Sequence, residues 1–136
     1  GIANGFPCGG ILISPEFNAV KGMLGTTFGG NYLAMAAAIS VLKIMEKEDL
    51  VNNALATGNY LKSAIPASDI IKEVRGQGLM LGIEFREPVK EIRSRLLKEK
   101  HIFTGVSGSS TLRLLAPLCL SIAEAERFVE ALKELI

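Results

Sequence analysis

The order of apolar patterns after Asn31 constrains the fold most strongly. Two helical stretches come first, a nearly continuous apolar run over 33–45 and a second helix that ends before Pro66. Two pairs of short strand-like runs follow, with one helix between the pairs and another at the end of the chain. Because adjacent strands joined by short turns usually pair antiparallel, we expect a small α+β domain with a mainly antiparallel sheet.

The expected strands are short, and each helix after the first has one apolar face. The strands are predicted at 70–74, 79–85, 102–104 and 112–115, with a loop over 105–110. Pro88 opens the helix between the strand pairs, and Ser121 with Glu124 forms a capping box that starts the last helix. The side chains expected to face inward are Leu50, Ala54, Leu55, Ala56 and Leu61, then Val89, Ile92, Leu96 and Leu97, then Ile122, Ala125, Phe128, Val129, Leu132 and Leu135.

The first thirty residues have a different character. They are rich in glycine, with one short apolar run over 10–13 that predicts a strand, a turn or helix start at Ser14 and Pro15, and a loop over 25–30. One strand and glycine loops cannot bury a core unaided. We therefore expect this segment to belong to a domain that extends beyond the chain, and the chain, which begins with Gly1, to be a piece of a longer protein.

Composition and charge argue against several classes of partner. The net charge is +1 with acidic and basic residues interspersed, and Trp is absent. Without a basic stripe or aromatic platform, no nucleic-acid partner is expected. No apolar run reaches the roughly 18 residues of a membrane span, so no membrane partner is expected.

The cysteines and the single histidine do not suggest a metal site. Cys8 and Cys119 stand far apart in no metal-ligand spacing, and although one disulfide is possible, buried free thiols in a reducing cytosol are favoured. His101 lies where a helix meets a strand, which is typical of a residue at a helix C-terminus rather than of a catalyst. No metal is expected.

The segment Gly76-Gln77-Gly78 superficially resembles the start of a dinucleotide-binding GxGxxG motif. It precedes a strand rather than a helix, and the third glycine, Gly82, falls one residue late. A tight hairpin turn with positive φ is the better interpretation.

The loop GTTFGGN at 25–31 carries two hydroxyls, Thr26 and Thr27, directly before a helix that Asn31 can cap. A helix N-terminus beside flexible backbone and hydroxyls favours an anion such as phosphate. The alternative is a glycine-rich loop with a turn closed by a threonine hydroxyl.

Arg113 is the other residue of chemical interest. It lies in the run TLRLL, so a strand places it on the face opposite Leu112 and Leu114. An arginine in an apolar strand requires a partner, and its planar fork suits a carboxylate. That carboxylate could come from a ligand or from an internal Asp or Glu, or the face could simply be solvated.

Four motifs in order resemble one family together. They are GIANGFP at 1–7, GTTFGGN at 25–31, VRGQGLMLG at 74–82 and LRLLAPL at 112–118. The set resembles the class III, ornithine-type aminotransferases that depend on pyridoxal 5'-phosphate, most closely the acetylornithine and succinylornithine enzymes. Tyr32 and Ala116 depart from residues common in the family, where proline is frequent, and neither change touches the expected chemistry.

The resemblance implies a division of the chain into two parts. Residues 1–34 would be the trailing remnant of the large α/β cofactor-binding domain of a fold-type I enzyme, and residues 35–136 its C-terminal small domain. The lysine that binds the cofactor covalently would fall immediately before Gly1. No catalytic residue is therefore expected within the chain, which alone would be inactive.

The resemblance also implies roles for three residues. Thr27 would hydrogen-bond the cofactor phosphate of the other subunit of a homodimer, with Thr26 beside it in the same loop. Arg113 would bind a carboxylate of the amino-acid substrate or of 2-oxoglutarate.

The activity implied for the whole protein is transfer of an amino group from N-acetyl- or N-succinyl-ornithine to 2-oxoglutarate, in arginine biosynthesis in the cytoplasm. Two alternatives are another class III enzyme, acting on ornithine, 4-aminobutyrate or another ω-amine, and a non-enzymatic small-molecule-binding module.

Overall fold

The structure is a computed structural model that describes residues 1–18, 20–23 and 25–136. The chain divides into two compact units, Gly1–Glu48 and Asp49–Ile136, which are described separately below. The elements are α1 (Tyr32–Lys47), α2 (Leu50–Ala64), β1 (Ile71–Gln77), β2 (Met80–Phe85), α3 (Lys90–Lys98), β3 (Gly105–Ser107), β4 (Thr111–Leu115) and α4 (Ile122–Lys133). From Asn31 onward this is the expected order of helices and strands. The division of the longer protein at 34/35 stays a prediction.

Helix α1 in the first unit starts as predicted. The Asn31 side-chain oxygen accepts a hydrogen bond from the Ala34 N–H at 2.9 Å, which satisfies one of the unpaired donors of the first turn. The nearly continuous apolar run over 33–45 predicts a helix buried on most sides, and this is wrong, because among the described side chains of α1 only Ala34 and Ala38 are buried. The rest of the described first unit consists of turns and irregular chain, and its large apolar side chains, such as Ile11, Leu12 and Phe17, are themselves exposed.

The strand expected over 10–13 does not form. The chain there is irregular, and Ile11 and Leu12 are 73% and 105% exposed. A strand needs a neighbouring backbone to pair with, and the described part of the first unit supplies none. The turn expected at Ser14 is confirmed, since the Phe17 N–H donates to the Ser14 carbonyl at 3.0 Å. The loop over 25–30 is also confirmed.

The second unit contains a four-stranded sheet in the order β1-β2-β4-β3. Every neighbouring pair is antiparallel, which confirms the expected sheet. The β1–β2 turn is tighter than predicted, because Gln77 already pairs with Met80. Gly76 and Gly78 have φ of 127° and 54°, so the predicted need for positive φ is confirmed.

Strand β3 lies later in the chain than expected. Residues 102–104 were predicted as a strand and are irregular, whereas β3 falls inside the predicted loop. Pairing in this hairpin begins next to the turn at Gly108, with Ser107 opposite Thr111 and Gly105 opposite Arg113. The chain before Gly105 leaves the sheet, so the strand-like residues 102–104 have no ladder to join.

One face of the sheet forms the core of the second unit with the helices. The innermost sheet residues are Leu81, Ile83 and Leu112, each at most 1% exposed. The helices contribute Leu61, Leu96 and Leu132, at most 2% exposed. Along β2, and along β4 from Leu112 onward, buried and more accessible residues alternate, as the period of a strand with one covered face requires.

Most of the inward-facing helix residues were predicted correctly. In α4, Ala125, Phe128, Val129 and Leu132 are buried, and the Ser121–Glu124 capping box is present. Four expectations fail, since Leu55, Leu97 and Ile122 are 45%, 46% and 44% exposed and Ala56 is exposed as well. In α2 the buried positions are Ala54, Thr57, Gly58 and Leu61, one helical stripe that leaves positions 55 and 56 to the side.

Helix α2 approaches the β1–β2 turn so closely that only glycine fits at position 58. A Cβ built on Gly58 would lie 2.1 Å from the Gly78 carbonyl oxygen and 2.7 Å from the Gly78 Cα. Both are backbone atoms of a hairpin whose register is set by its pairing, so neither can turn aside. This contact fixes the distance between α2 and the sheet.

We therefore expect Gly58→Ala to destabilise the protein by about 2 kcal/mol or more, because the helix and hairpin must separate. A glycine-to-alanine change inside a helix ordinarily stabilises the protein by roughly 0.5–1 kcal/mol. A loss of stability in Gly58→Ala would therefore point to the close contact with the hairpin. Urea denaturation measures the change, with the exposed neighbour Asn59→Ala as the control. Equal or greater stability in Gly58→Ala would show that the close approach is not needed.

Candidate functional site

Arg113 lies in the middle of β4, between the buried residues Leu112 and Leu114. Its side chain points to the opposite, accessible face of the sheet, as the sequence pattern predicted. The cross-strand register places Gly82 of β2 on one side of it and Gly105 of β3 on the other. Neither residue directly opposite Arg113 on the neighbouring strands therefore has a side chain.

The other charged residues on the first two strands are already paired. The Lys72 ammonium lies 2.6 Å from Glu84, and Arg75 forms ion pairs with Glu84 and Glu73. Hydrogen bonds from Lys72 and then Arg75 lower the pKa of the Glu84 carboxyl, so this carboxylate stays ionised near neutral pH. Within the described residues, the Arg113 guanidinium has no carboxylate partner.

Arg113 also lines a cleft of about 480 Å³ in the second unit. The cleft opens where the chain before β3 leaves the sheet, so residues 102–104 and 114–117 both line it. Its walls are largely apolar, with contributions from Leu61, Leu120 and Phe128. A mainly apolar cleft with a charged group in its lining suits a small organic anion.

Thr104 is a second polar residue in this lining, and sequence reasoning missed it. It is 4% exposed, and its hydroxyl oxygen is buried without a hydrogen-bond partner among the described residues. The Arg93 side chain holds the backbone here, because its Nε donates to the Thr104 carbonyl at 2.9 Å and its guanidinium lies 5.7 Å from the Phe103 ring centre. A threonine in a short apolar run was the only signal in the sequence.

The threonine loop belongs to the first unit and leads directly into α1. The Gly29 N–H donates to the Thr26 carbonyl and the Asn31 N–H to the Phe28 carbonyl, each at 3.4 Å. The Asn31 side-chain amide also donates to the Phe28 carbonyl at 2.9 Å. These bonds fold the loop back onto the helix N-terminus.

Both threonines are exposed, and in the described residues neither hydroxyl is engaged in a side-chain hydrogen bond. The alternative of a turn closed by a threonine hydroxyl is therefore not seen there. Two available hydroxyls before a helix N-terminus form a donor set that fits the phosphate of pyridoxal phosphate. Thr26 and Thr27 lie in one unit and Arg113 in the other, and the roles of all three stay predictions.

His101 follows the end of α3, as predicted. Its φ of 55° is left-handed, and beyond it the Ile102 N–H donates to the Leu96 carbonyl at 2.9 Å, closing the helix end. The described residues contain no group of three or more His, Cys, Asp or Glu side chains that could hold a metal ion.

Both cysteines are free thiols, as favoured, but their predicted burial is wrong. Cys8 is half-buried and Cys119 is exposed. Cys119 lies in the turn between β4 and α4, where the chain runs over the surface, so its apolar neighbours in sequence do not enclose it. No helix in the described ranges has the length and apolar character needed to cross a membrane.

Comparison with known proteins gives one consistent family. The class-III aminotransferase family model matches residues 1–136. The chain is 38% identical to the acetylornithine aminotransferase of Bacillus subtilis (strain 168), with 100% of this chain and 36% of that protein covered. It is 36% identical to an ornithine aminotransferase of Oceanobacillus iheyensis, with 96% and 34% covered. The chain thus spans about a third of the length of these relatives.

A solved structure agrees with the family and with the expected fold. The ornithine aminotransferase of Toxoplasma gondii, whose structure shows partial occupancy of pyridoxal phosphate at the active site, superimposes with a TM-score of 0.77. The identity is 26%, and the match covers 85% of this chain and 29% of that one. The α+β fold predicted from the sequence is thereby confirmed, and the chain belongs to the class-III aminotransferases.

Proposed function

We propose that the protein is a pyridoxal-phosphate-dependent aminotransferase that transfers an amino group from N-acetyl- or N-succinyl-ornithine to 2-oxoglutarate, in arginine biosynthesis. Family membership and the acetylornithine aminotransferases among the relatives support this reaction. The observation that carries it is the exposed side chain of Arg113: its guanidinium has no carboxylate partner among the described residues, and Arg113 is one of the residues that line a cleft.

Arg113 binds and orients a substrate carboxylate in this proposal. The amino donor and 2-oxoglutarate both carry carboxylates, so one guanidinium serves both halves of the reaction in turn. The planar fork donates two parallel hydrogen bonds, which fix the orientation of the substrate as well as its position. Holding the reacting carbon in place lowers the entropic part of the barrier.

Thr27 holds the cofactor phosphate, with Thr26 beside it. Pyridoxal phosphate, when bound, supplies the carbonyl that carries the amino group between the two substrates. The hydroxyl of Thr27 donates to a phosphate oxygen, and the nearby N-terminus of α1 adds a favourable dipole. We propose that the protein is a homodimer in which this loop serves the cofactor of the partner subunit.

The protein is also proposed to be cytoplasmic. Its two cysteines are free thiols, and Cys119 is exposed. An exposed thiol keeps this form most readily in a reducing compartment.

The second candidate for the amino donor is ornithine, because one relative is named an ornithine aminotransferase. Family membership argues against a non-enzymatic binding module. We expect the full-length enzyme to show its highest kcat/KM with acetyl- or succinyl-ornithine in a transaminase assay. A higher kcat/KM with ornithine or with 4-aminobutyrate than with both acylated donors would overturn the proposed substrate.

For Arg113→Lys in the full-length enzyme we expect the KM for 2-oxoglutarate to rise about tenfold or more, with cofactor retention nearly unchanged. Lysine keeps the charge but cannot make the bidentate contact, and a hydrogen bond between charged groups contributes roughly 1.5–3 kcal/mol. Steady-state kinetics measure the change. The exposed Arg127→Lys in α4 is the control, and loss of cofactor with unchanged KM would contradict the role.

For Thr27→Ala we expect weaker binding of the cofactor, with substrate binding little changed. Removing a donor to phosphate should raise the dissociation constant of pyridoxal phosphate about tenfold, because one charge-assisted hydrogen bond is lost. Absorbance of bound cofactor after dialysis measures this, and Thr27→Ser, which keeps the hydroxyl, should retain it. Normal retention in Thr27→Ala, with weaker binding of substrate only, would count against the phosphate role.

A further inference from the structure

The Arg113 side chain lies across Gly105, its cross-strand partner. A Cβ built on Gly105 would be 3.1 Å from Arg113 Nε and 3.3 Å from Nη2. Gly105 is in a strand and has no left-handed φ, so its backbone would accept any residue. A side chain here would instead crowd the Arg113 guanidinium, which would have to move by a few tenths of an ångström, and it would lie 3.4 Å from the Arg113 carbonyl oxygen.

The guanidinium leans to this side and not to the other. Gly82 flanks Arg113 on β2, and a Cβ there would be 3.2 Å from Thr111 Cγ2 and 3.9 Å from Arg75 Cγ, with no Arg113 atom within 4 Å. Since β3 is the edge strand, the guanidinium is directed toward the sheet edge. It points away from β2, which carries Glu84, the carboxylate already held by Lys72 and Arg75.

We propose that Gly105 is a positioning residue for substrate binding: by lacking a side chain, it lets the Arg113 guanidinium lie flat on the edge strand with its donors turned to the ligand. This inference rests on the proposed carboxylate-binding role of Arg113. A bidentate contact tolerates only small errors in orientation, so a displacement of a few tenths of an ångström weakens it. Gly105 acts only through Arg113.

The variants that test the proposal add one or three methyl-sized groups at position 105. Gly105→Ala places a methyl against the guanidinium, and Gly105→Val adds two more. Both residues favour a strand more than glycine does, so folding should be retained. Gly82→Ala is the matched control, because it crowds the sheet to a similar extent in the same cross-strand row but contacts Thr111 instead.

The readout is binding of glutarate, an unreactive dicarboxylate, to the full-length cofactor-loaded enzyme by calorimetry. We expect the Kd to rise about threefold in Gly105→Ala and about thirtyfold in Gly105→Val, and to stay within about twofold in Gly82→Ala. In kinetics, the KM for 2-oxoglutarate should rise by a larger factor than kcat falls. Arg113→Ala, measured alongside, should weaken glutarate binding most.

Each contrary outcome has a distinct meaning. Unchanged glutarate affinity in folded Gly105→Ala and Gly105→Val overturns the inference, and so does equal weakening in Gly82→Ala. If Gly105→Val fails to fold, the glutarate affinity of Gly105→Ala alone tests the role of Gly105. Unchanged glutarate affinity in Arg113→Ala overturns the proposed role of Arg113 itself. If Arg113→Ala binds glutarate more weakly but the Gly105 variants do not, the role of Arg113 stands and only the role of Gly105 is overturned.

Discussion

Burial of one face of the four-stranded sheet is the constraint on which the second unit depends. Leu81, Ile83 and Leu112 must all face the helices, and this requirement sets the register of the strands. Because strand side chains alternate, the same register places Arg113 on the opposite face, between two glycines. The close contact of Gly58 with the β1–β2 turn then fixes where the helical layer lies.

The outer face of the sheet is divided electrostatically. On β1 and β2 the carboxylate of Glu84 is shared by Lys72 and Arg75, whose hydrogen bonds lower its pKa. On β4 and β3 the guanidinium of Arg113 lies against Gly105 instead. Because Lys72 and Arg75 already pair with the carboxylate of Glu84, that carboxylate is not available to Arg113. The Arg113 guanidinium is thus left available for the carboxylate of a ligand.

The first unit shows how strongly burial depends on what surrounds a segment. The apolar run of α1 predicts a helix, and Asn31 caps it, yet Ile39 and Leu42 remain about half exposed. Local signals determine the start of a helix because a cap involves residues only three apart. Burial depends on surfaces from elsewhere, so the prediction of an enclosed helix failed while the prediction of its cap succeeded.

The sequence by itself determined the order of elements, the antiparallel sheet, the caps at Asn31 and Ser121, and the face on which Arg113 lies. All of these depend on periodicity or on contacts between near neighbours. Only the tertiary structure placed β3 at Gly105–Ser107, opened the cleft beside it and brought Gly105 under the guanidinium. These features depend on the cross-strand register and on contacts between residues distant in sequence, which no local pattern encodes.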